Sequence, residues 1–452
     1  MTRPALGWSD LKGERVGLWG LGQEGQASLR KLRTLGIAPV LVDDRPNESG
    51  VLATADGGLA ALQACTVVIK TPGISPYGAA ADQLRDAGVT LVGGLGLWVN
   101  EADLTRTVYV TGTKGKSTTS SVTGHLLRGL GYQVLVGGNF GVAPYDPAVP
   151  GRGQQRGCDY WVIEVSSYTA TDLAVTPPVT AVTALHPDHL PWHGSVEGYY
   201  RDKLSATSQL GADRTVANGD SELLRARAGL LGPRVTWISD CDERAATWMD
   251  HLGLPGRHNR RNALIARAVL GGLGAAAGDA QLAAAAADDE RLAAAAAGFT
   301  PLPSRLTPAG TVAGVAFIDD SLSTNVLPTL AALDSFPGRR VALIVGGQDR
   351  GIDYRPLGEG VKQRVEPTSV WTLPDSGPRI SAAFAETAAA PEGGFETVHD
   401  CRDLDEAVAR AFLWAKPDGL VLLSPAAPSF GQFRDYRDRA EHFVAAMKAL
   451  AA

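Results

Sequence analysis

Short apolar runs alternate with amphipathic stretches in the first hundred residues of the chain. Apolar runs of strand length cover residues 15–19, 39–42, 66–70 and 90–92, and a helical pattern covers residues 26–35. This alternation is typical of a sheet with parallel strands, because each crossover between parallel strands needs a helix or a long connection. The pattern therefore predicts a small parallel sheet of Rossmann type.

The alternation of strands and helices continues beyond this first sheet. Further apolar runs of strand length begin near residue 107 and at residues 160–165, 179–185 and 214–217, and a helical pattern covers residues 120–130. Alanine runs follow at residues 283–287 and 293–297. Because alanine is the best helix former, we interpret these runs as packed helices with small side chains and not as disorder.

A third set of elements follows Pro301 and Pro303. Its predicted elements are strands at residues 315–318, 341–345, 370–373 and 419–423 and helices at residues 327–333 and 404–415. A chain of 452 residues is too long for one typical core. We predict an α/β fold with three domains over residues 1–104, 105–300 and 301–452, of which the first and the last are Rossmann-like, and we expect the strands of the third set to be parallel again.

Composition and charge exclude several classes of protein. The net charge of −6 argues against nonspecific nucleic-acid binding. The four cysteines (Cys65, Cys158, Cys241 and Cys401) lack metal-ligand spacing, so neither a disulfide framework nor a zinc site is expected. The sequence contains no secretion signal and no apolar run near the roughly 18 residues of a membrane span. We expect a soluble, cytoplasmic monomer that neither inserts into membranes nor binds nucleic acid.

The most informative motif follows the strand that begins near residue 107. The segment Thr111-Gly-Thr-Lys-Gly-Lys-Ser-Thr118 forms a glycine-rich turn before a predicted helix. Backbone N–H groups of such a turn can surround phosphate oxygens, Lys116 would reach the β and γ phosphates, and Ser117 would bind Mg²⁺. The match to the general phosphate loop is imperfect, because Val110 replaces its first glycine. We favour a central P-loop, parallel-sheet ATPase domain over an ordinary strand–turn–helix joint.

A second glycine-rich turn lies at the end of the first predicted strand. Gly20, Gly22 and Gly25 have the spacing of a dinucleotide site, and Asp43 follows about twenty residues later. Three interpretations fit: an NAD site, a structural turn, or a site for another nucleoside diphosphate in which Asp43 or Asp44 binds the ribose or base. The phosphate loop weakens the NAD interpretation, because phosphoryl transfer and hydride transfer rarely serve one reaction.

Several polar side chains follow the predicted strands of the central region. Glu164 ends an apolar strand, where a Mg²⁺-binding carboxylate and a solvated turn residue would both fit. Asp188 and His189 are candidates near a hard metal, since Mg²⁺ takes few protein ligands. His186 and His193 are interpreted as structural histidines of a polar loop.

Four further residues are candidates for a functional role, although each also fits an ordinary structural position. Lys203 lies on a predicted helix, and its pattern alone indicates a surface lysine. Asp320 follows a strand and could meet a ribose or an arginine, or could cap a helix. Arg350 is a candidate carboxylate clamp, and the loop that contains Ser429 also follows an apolar strand. Ligands bind beyond the carboxyl ends of strands in open α/β sheets, although both loops could be ordinary turns.

Taken together, these motifs resemble the Mur ligase family over essentially the whole chain. The residues that carry the resemblance are, in chain order, Thr111-Gly-Thr-Lys-Gly-Lys-Ser-Thr118, Gly137-Gly-Asn-Phe-Gly141, Glu164-Val-Ser-Ser167, Asp188-His189, Lys203, His258-Asn259 with Asn262, Leu302-Pro-Ser-Arg305, Asp320-Ser321, Gly346-Gly347 and Leu423-Ser-Pro425. The resemblance implies an ATP-dependent acid–amino-acid ligase. It implies that glutamate is added to UDP-N-acetylmuramoyl-L-alanine through an acyl phosphate, in peptidoglycan synthesis.

The resemblance also implies a role for each matching residue. The implied UDP-substrate residues are Gln23, Glu24, Gly25, Asp43, Asp44, Gly73, Asn139 and Ser166. The implied ATP residues are Gly112, Thr113, Lys114, Gly115, Lys116, Ser117, Thr118, Asn262, Arg305 and Asp320. The implied glutamate residues are Thr324, Arg350, Ser429, Phe430 and Tyr436.

The same resemblance implies metal binding and a modified lysine. Lys116, His189 and Lys203 are the implied catalytic residues. One Mg²⁺ would be held by Ser117 and Glu164, and a second by His189 and a carbamate that CO₂ forms on Lys203. The carbamate would turn a cation into an oxygen ligand that a hard metal accepts.

Some residues depart from the usual family pattern. Lys114 replaces an asparagine of the loop, and Arg350 stands where family members that add D-glutamate have a lysine. Leu322 replaces another lysine, Ser304 replaces a histidine, and the last loop is altered at Pro428 and Phe430. Most of these departures lie where glutamate would bind, and they resemble a variant branch that adds L-glutamate. D-glutamate is the default expectation for the family, and L-glutamate is the alternative.

Two functions of other classes stand beside the ligase. An NAD-dependent oxidoreductase built on the first glycine-rich turn would leave the phosphate loop and Glu164 unexplained. A nonenzymatic nucleotide-sensing module would bind ATP without forming an amide.

Overall fold

The computed structural model describes residues 3–46, 48–149, 157–239, 247–387 and 393–451. The chain divides into two compact units: the first comprises Met1–Leu252 with Arg261–Phe299, and the second comprises Gly253–Arg260 with Thr300–Ala452. Both units contain parallel sheets with helical crossovers, so the predicted α/β class is confirmed. Cys241 lies outside the described residues.

The first unit begins with a five-stranded parallel sheet. Its elements are β1 (Val16–Trp19), α1 (Gln23–Thr34), β2 (Val40–Asp43), β3 (Leu52–Ala53), α2 (Gly58–Gln63), β4 (Val67–Lys70), α3 (Ala79–Asp86), β5 (Thr90–Gly93) and α4 (Gly94–Val99). The strand order is β3-β2-β1-β4-β5, and all neighbouring strands are parallel. The predicted Rossmann-type sheet is therefore confirmed, and the two-residue strand β3 is too short to show a pattern in the sequence.

The first unit also contains a six-stranded parallel sheet. Its elements are β6 (Thr107–Thr111), α5 (Lys116–Gly129), β7 (Val134–Gly138), β8 (Tyr160–Glu164), α6 (Ser167–Ala170), β9 (Val179–Val182), α7 (Leu190–His193), α8 (Val196–Leu204), β10 (Arg214–Asn218), α9 (Glu222–Arg225), β11 (Arg234–Ile238), α10 (Arg257–Ala277), α11 (Ala280–Ala286) and α12 (Asp289–Ala296). The strand order is β11-β10-β9-β6-β8-β7, which places the phosphate-loop strand β6 in the interior. Short 3₁₀ helices cover Trp8–Leu11, Leu104–Arg106, Ser205–Thr207, Ala228–Leu230 and Thr247–Leu252.

The two sheets of the first unit share one hydrophobic core. Buried side chains of the first sheet, such as Leu18, pack in the same cluster as Tyr109 and Ile163 of the second sheet. A buried ion pair also joins the sheets: Lys70 Nζ lies 2.8 Å from Asp172 Oδ2, and the side chains are 1 % and 7 % exposed. The first sheet is thus held to the second by packing and by charge.

The alanine-rich segments form the packed helices α11 and α12, as predicted. Ala285, Ala286, Ala295 and Ala296 are buried. These small side chains permit close helix contacts, since a Cβ added at Gly274 of α10 would lie 2.6 Å from the backbone nitrogen of Ala283. Low sequence complexity here reflects tight packing between helices.

The second unit contains a mixed six-stranded sheet. Its elements are β12 (Thr307–Val312), β13 (Val315–Asp319), α13 (Val326–Leu333), β14 (Val341–Gly347), α14 (Arg355–Lys362), β15 (Thr368–Asp375), α15 (Gly377–Glu386), β16 (Phe395–Asp400), α16 (Leu404–Ala415), β17 (Leu420–Leu423) and α17 (Tyr436–Ala449). The strand order is β12-β13-β17-β14-β15-β16, and only β12 is antiparallel to its neighbour among the paired strands of the described residues. The expectation of a wholly parallel sheet is wrong at this edge, because residues 313–314 form a tight turn with positive φ angles.

The predicted domain boundaries at residues 104 and 300 stay predictions. The first two sheets lie in one compact unit, and the second unit resumes at Thr300. None of the helices in the described ranges combines the length and apolar character that crossing a bilayer requires.

Candidate functional site

The phosphate-loop motif lies between β6 and α5, at the carboxyl end of an interior strand. Gly112 and Gly115 have φ angles of +134° and +89°, and Lys116 is the first residue of α5. A Cβ at Gly112 would lie 2.3 Å from Thr183 Oγ1, and one at Gly115 would lie 2.9 Å from Asn262 Oδ1. Both positions therefore need glycine, and the turn presents its backbone N–H groups at the N-terminus of a 14-residue helix.

Hydrogen bonds hold this turn in place. Thr113 donates from its backbone to Ala184 O at 2.7 Å, and its hydroxyl donates to His186 O at 2.9 Å. Tyr199 Oη lies 2.8 Å from the same hydroxyl oxygen. Thr183 Oγ1 donates to Lys114 O at 2.5 Å. The loop is preorganised by β9 and α8, so Thr113 acts here as an anchor of the loop.

The predicted ATP residues of the first unit surround this turn. Lys116 Nζ donates to Thr113 O at 3.3 Å. Ser117 and Thr118 are buried in the first turn of α5. Asn262 is buried against the loop at Gly115. The structure thus brings together the predicted ATP residues of the first unit, while the roles of Arg305 and Asp320 of the second unit stay predictions.

Glu164 ends β8 and is buried, with 1 % of its surface exposed. Its Oε1 accepts a 2.7 Å hydrogen bond from Asn139 Nδ2. Its Oε2 is buried and has no hydrogen-bond partner among the described residues. An ionised carboxylate oxygen left this way is costly in a protein interior, so the position suits a bound cation.

Lys203 is buried on α8, so its interpretation as a surface lysine is wrong. The side chain is 2 % exposed, and Nζ donates to Gly112 O at 3.0 Å. Burial and the nearby Lys116 charge hold the pKa of Lys203 well below its ordinary value. The helical pattern of the sequence did not indicate this burial, because the loop that covers Lys203 lies about ninety residues earlier.

His189 immediately precedes α7 and has a left-handed conformation with φ of +53°. Its imidazole is half exposed and packs against Tyr168, with ring centroids 5.0 Å apart and the rings tilted by 54°. Asp188 lies between two basic side chains: its Oδ2 is 3.8 Å from His189 Nε2 and 3.7 Å from Lys114 Nζ. Burial lowers the pKa of His189, and Asp188 opposes this shift.

The predicted metal sites need more than protein groups in the part of the chain that the structure describes. Among the described residues, no group of three or more His, Cys, Asp or Glu side chains is placed to hold a metal ion. The predicted sets combine one carboxylate or imidazole with a hydroxyl or a modified lysine. Such sets need phosphate and water oxygens to complete an octahedral shell.

A cavity of about 510 Å³ opens at the carboxyl edge of the first sheet. Three predicted substrate residues, Asp43, Asp44 and Gly73, line it together with Trp19 and Thr54. The Thr54 hydroxyl donates to Asp44 at 2.6 Å and accepts a hydrogen bond from the Trp19 indole at 3.2 Å. The cavity thus combines an aromatic wall with carboxylate acceptors, which suits a nucleoside.

The other predicted substrate residues have different surroundings. A Cβ at Gly25 would lie 2.0 Å from Gly20 O, so this glycine permits close packing of α1 on β1. Gln23 Nε2 donates to Gly141 O at 3.5 Å. Ser166 caps α6 by accepting from the Thr169 backbone at 3.0 Å.

Glu24 is partly buried at the start of α1. Burial and the Asp172 charge raise the pKa of Glu24 to about 7, and Lys70 opposes the shift. This carboxyl group therefore changes charge near neutral pH.

In the second unit, Asp320 follows β13 and is buried. Its Oδ2 accepts from Ser424 Oγ at 2.7 Å, and its Oδ1 accepts from the Leu306 backbone at 3.2 Å. Burial raises the pKa of Asp320 to about 6, although these hydrogen bonds oppose the shift. Asp320 ties the end of β17 to the segment that carries Arg305.

Four of the five predicted glutamate residues lie on loops of this unit, and the fifth, Tyr436, is the first residue of α17. The Arg350 guanidinium lies 5.9 Å from the ring centroid of Phe430, so these two predicted residues are brought together. Ser429 is buried, and Tyr436 begins α17. Thr324 lies two residues before α13.

One residue that the sequence prediction missed is Arg439 on α17. Its side chain is fully buried and donates to the carbonyl oxygens of Ser321 (2.8 Å), Ala427 (3.2 Å) and Gly346 (3.4 Å). Ser321 and Ala427 lie in the loops that follow β13 and β17, and Gly346 lies at the end of β14. An arginine on an amphipathic helix normally faces solvent, so the local pattern contains no signal for this role.

The sequence matches two family models. One, described as the Mur ligase middle domain, matches residues 110–251, and the other, described as the Mur ligase glutamate ligase domain, matches residues 304–427.

Similar proteins cover nearly the whole chain. A UDP-N-acetylmuramoyl-L-alanine–L-glutamate ligase of Micromonospora sp. is 40 % identical, with 97 % of this chain and 98 % of that protein aligned. A protein of the same name from Xanthomonas axonopodis pv. citri is 37 % identical over 96 % of this chain and 95 % of its own. Among solved structures, a MurF ligase of Thermotoga maritima in complex with ADP has a TM-score of 0.53 and 15 % identity, covering 97 % of this chain and 96 % of that one.

Proposed function

The chain belongs to the Mur ligase family, and we propose that it uses ATP to join glutamate to UDP-N-acetylmuramoyl-L-alanine in peptidoglycan synthesis. The observation that carries this proposal is the near-full-length similarity to a UDP-N-acetylmuramoyl-L-alanine–L-glutamate ligase, at 40 % identity. The glycine-dependent phosphate loop and the cavity at the edge of the first sheet support it, since they suit the two nucleotides that the reaction needs.

ATP is assigned to the loop between β6 and α5. Backbone N–H groups from Gly112 to Ser117 and the Lys116 ammonium would meet its phosphates. The loop costs little to organise on binding, because Thr113 and Thr183 already fix it.

Two Mg²⁺ ions are assigned beside this loop. Ser117 and Glu164 would hold one, which the unpartnered Oε2 of Glu164 supports. His189 and a carbamate on Lys203 would hold the other, which the burial of Lys203 beside the loop supports. When bound, the ions neutralise the crowded phosphate and carboxylate charges.

The UDP moiety is assigned to the cavity lined by Asp43, Asp44 and Gly73. The alternative of an NAD-dependent oxidoreductase gains no support, because the relatives reported above are named ligases. Similarity to relatives of that name over the first hundred residues also favours a UDP-linked substrate.

The chemistry follows from these assignments. An oxygen of the L-alanyl carboxylate attacks the γ phosphorus, the bond to the β-phosphate oxygen breaks, and ADP leaves. The neutral amine of glutamate then attacks the acyl carbon. The tetrahedral intermediate expels phosphate, and the nitrogen loses a proton, which leaves the amide. Lys116 would offset charge on the transferred phosphoryl group in the first step.

For the amino acid we propose L-glutamate. Relatives aligned over nearly the whole chain carry that name, and the departures at Arg350 and Pro428 lie in the loops assigned to glutamate. A planar guanidinium binds a carboxylate through two hydrogen bonds, whereas a lysine offers a point charge. Arg350, Ser429 and Phe430 are therefore assigned to this side chain.

The test is phosphate release from ATP and Mg²⁺ with UDP-N-acetylmuramoyl-L-alanine and each glutamate enantiomer. We expect stoichiometric ADP, phosphate and amide with L-glutamate, and no release when either acceptor is omitted. Phosphate release only with D-glutamate would refute the proposal that L-glutamate is the substrate. No release with either enantiomer would refute the proposed ligase activity.

Two variants of the loop sharpen this test. Lys116→Ala should abolish turnover, because it removes the charge that meets the phosphates. Lys114→Asn restores the usual family residue, and its turnover measures what this departure contributes to the reaction. Retained turnover in Lys116→Ala would remove its assigned role.

A further inference from the structure

A chain of hydrogen bonds joins three segments of the first unit that lie far apart in the sequence. The Tyr77 hydroxyl donates to Asp202 Oδ1 at 2.6 Å. Asp202 Oδ2 lies 2.6 Å from His193 Nδ1, and His193 Nε2 lies 3.0 Å from Ser167 Oγ. The His193 side chain is fully buried, and Asp202 is 13 % exposed. These hydrogen bonds connect four side chains of the first unit in a row.

Tyr77, at one end of this row of hydrogen bonds, lies in the same turn as Gly73. This turn follows β4 of the first sheet. The indole of Trp192 donates to Gly73 O at 3.1 Å, and Ser75 Oγ donates to Trp192 O at 3.3 Å. The Tyr77 ring also packs edge-on against Trp192, with centroids 5.8 Å apart. The first sheet's turn is thus docked on α7 and α8 of the second sheet.

The other members adjoin residues assigned to the reaction. Asp202 precedes Lys203 on α8, and Ser167 follows Ser166 at the start of α6. His193 ends the single turn of α7, which starts after His189. No member of the chain is itself among the predicted site residues, yet each adjoins a segment that carries one.

Aromatic packing stiffens the same region. The Tyr168 ring lies 4.5 Å from Trp192 and 5.7 Å from His193, nearly parallel to the latter at 24°. Tyr199 packs edge-on against His193 at 5.2 Å. The rings bury the His193 end of the hydrogen-bonded chain, which strengthens the contacts of His193 with Asp202 and Ser167.

We propose that Tyr77, Trp192 and His193 are positioning residues that set the distance between the bound UDP-substrate and the transferred phosphoryl group. The proposal rests on the proposed function. The substrate would be held at its uridine end by the first sheet, while its carboxylate must meet the γ phosphate over the second sheet. A misplacement of about 1 Å can cost roughly 100-fold in rate. The Gly73 turn is the point at which the two sheets set this distance.

Tyr77→Phe is the most direct test. It removes one hydroxyl, keeps the ring against Trp192, and changes a side chain that is 46 % exposed, so folding should be retained. We expect kcat/KM for the UDP-substrate to fall about tenfold, as expected for loss of about 1.4 kcal/mol. KM for ATP should stay within about twofold of the wild-type value.

Tyr132→Phe is the matched control. The Tyr132 hydroxyl also hydrogen-bonds an aspartate, Asp279, but Tyr132 lies in the link between α5 and β7 and is not an assigned site residue. Its kinetic constants should equal those of the wild type. A purely structural role for Tyr77 would lower thermal stability and the active fraction while leaving KM for the UDP-substrate unchanged.

Trp192→Phe tests the second contact to the same turn. It removes the indole N–H and keeps an aromatic ring. We expect a similar fall in kcat/KM, and losses in the Tyr77→Phe, Trp192→Phe double variant that do not multiply, because both contacts hold one turn. Unchanged kcat/KM for the UDP-substrate in both single variants would overturn the proposal.

Hydrogen exchange separates this proposal from the proposed function. In Tyr77→Phe, amides of residues 72–78 should exchange faster than in the wild type, and in Tyr132→Phe they should not. Unchanged exchange would refute the docking of the turn even in a protein with no ligase activity. A wild-type protein that releases no phosphate would refute the proposed function instead.

Discussion

At the scale of single residues, burial decides which groups carry chemistry. Glu164 and Lys203 are both almost fully buried. Among the described residues, Glu164 accepts a hydrogen bond on only one of its two carboxylate oxygens, and the Lys203 ammonium donates to the carbonyl oxygen of Gly112. Groups in this state are costly unless a ligand or a modification completes them. Their placement beside a glycine-dependent phosphate loop explains why that cost is tolerated.

Lys203→Ala is expected to be inactive in amide formation and to regain part of its activity in millimolar formate or acetate. The small carboxylate would supply the oxygen ligand that the carbamate is proposed to supply. Steady-state phosphate release measures the rescue, with chloride at equal ionic strength as the control. Full activity without added carboxylate would refute the carbamate.

The stability of the first unit should depend on pH through Glu24. The pKa of Glu24 is raised to about 7 in the folded chain, chiefly by burial, while its ordinary value is 4.5. The folded state then keeps the proton at pH values at which the unfolded state loses it. The stabilising contribution is complete below pH 4.5 and is lost as the pH rises to about 7.

Glu24→Gln should remove this contribution. Denaturant unfolding of both proteins between pH 4 and pH 8 measures the difference in their unfolding free energies. We expect Glu24→Gln to gain stability relative to the wild type as the pH rises through this window. A constant difference across the window would contradict the raised pKa.

At the scale of elements, local pattern predicted strands and helices well. Helix α16 covers Leu404–Ala415, as predicted from periodicity. Helix α5 begins at Lys116, four residues before the predicted start, because the left-handed Gly115 ends the turn there. The sequence analysis did not predict the antiparallel strand β12. Its pairing with β13 depends on the tight turn between them, which periodicity does not indicate.

Two glycines of α10 should respond oppositely to alanine. A Cβ at Gly271 meets only Ala286 Cβ at 3.8 Å, so Gly271→Ala should raise the unfolding free energy by about 0.5–1 kcal/mol through helix propensity. A Cβ at Gly274 would lie 2.6 Å from backbone nitrogen of Ala283, so Gly274→Ala should lower it by about 1–3 kcal/mol.

Chemical denaturation of both variants checks this pair. The two positions lie three residues apart on the same helix, so each is the control for the other. Equal effects of the two substitutions would contradict the close packing of α11 on α10.

At the scale of the whole molecule, the two sheets of the first unit are bound together by a common core and by the buried Lys70–Asp172 pair. This coupling makes the Gly73 turn part of a rigid surface, which a positioning role requires. The sequence pattern predicted two separate sheets but contained no sign of their shared core.

Lys70→Met should destabilise the first unit by about 3–5 kcal/mol, because it leaves Asp172 buried without its partner. The Lys70→Met, Asp172→Asn double variant should recover much of this loss, since it removes both charges. Thermal unfolding followed by calorimetry measures both. If the double variant is less stable than Lys70→Met, the loss of stability in Lys70→Met does not come from the unpaired charge of Asp172.

The sequence by itself determined the alternation of strands and helices, the phosphate loop and the membership of the family, because these are written in local periodicity and in short ordered motifs. Only the tertiary structure decided that Lys203 is buried, that Glu164 Oε2 has no hydrogen-bond partner among the described residues, and that Arg439 donates to carbonyl oxygens of three separate segments. It also decided that His193, a structural histidine by its pattern, links Asp202 to Ser167. The physical reason is that burial and hydrogen bonding depend on partners far away in the chain, about which a local pattern carries no information.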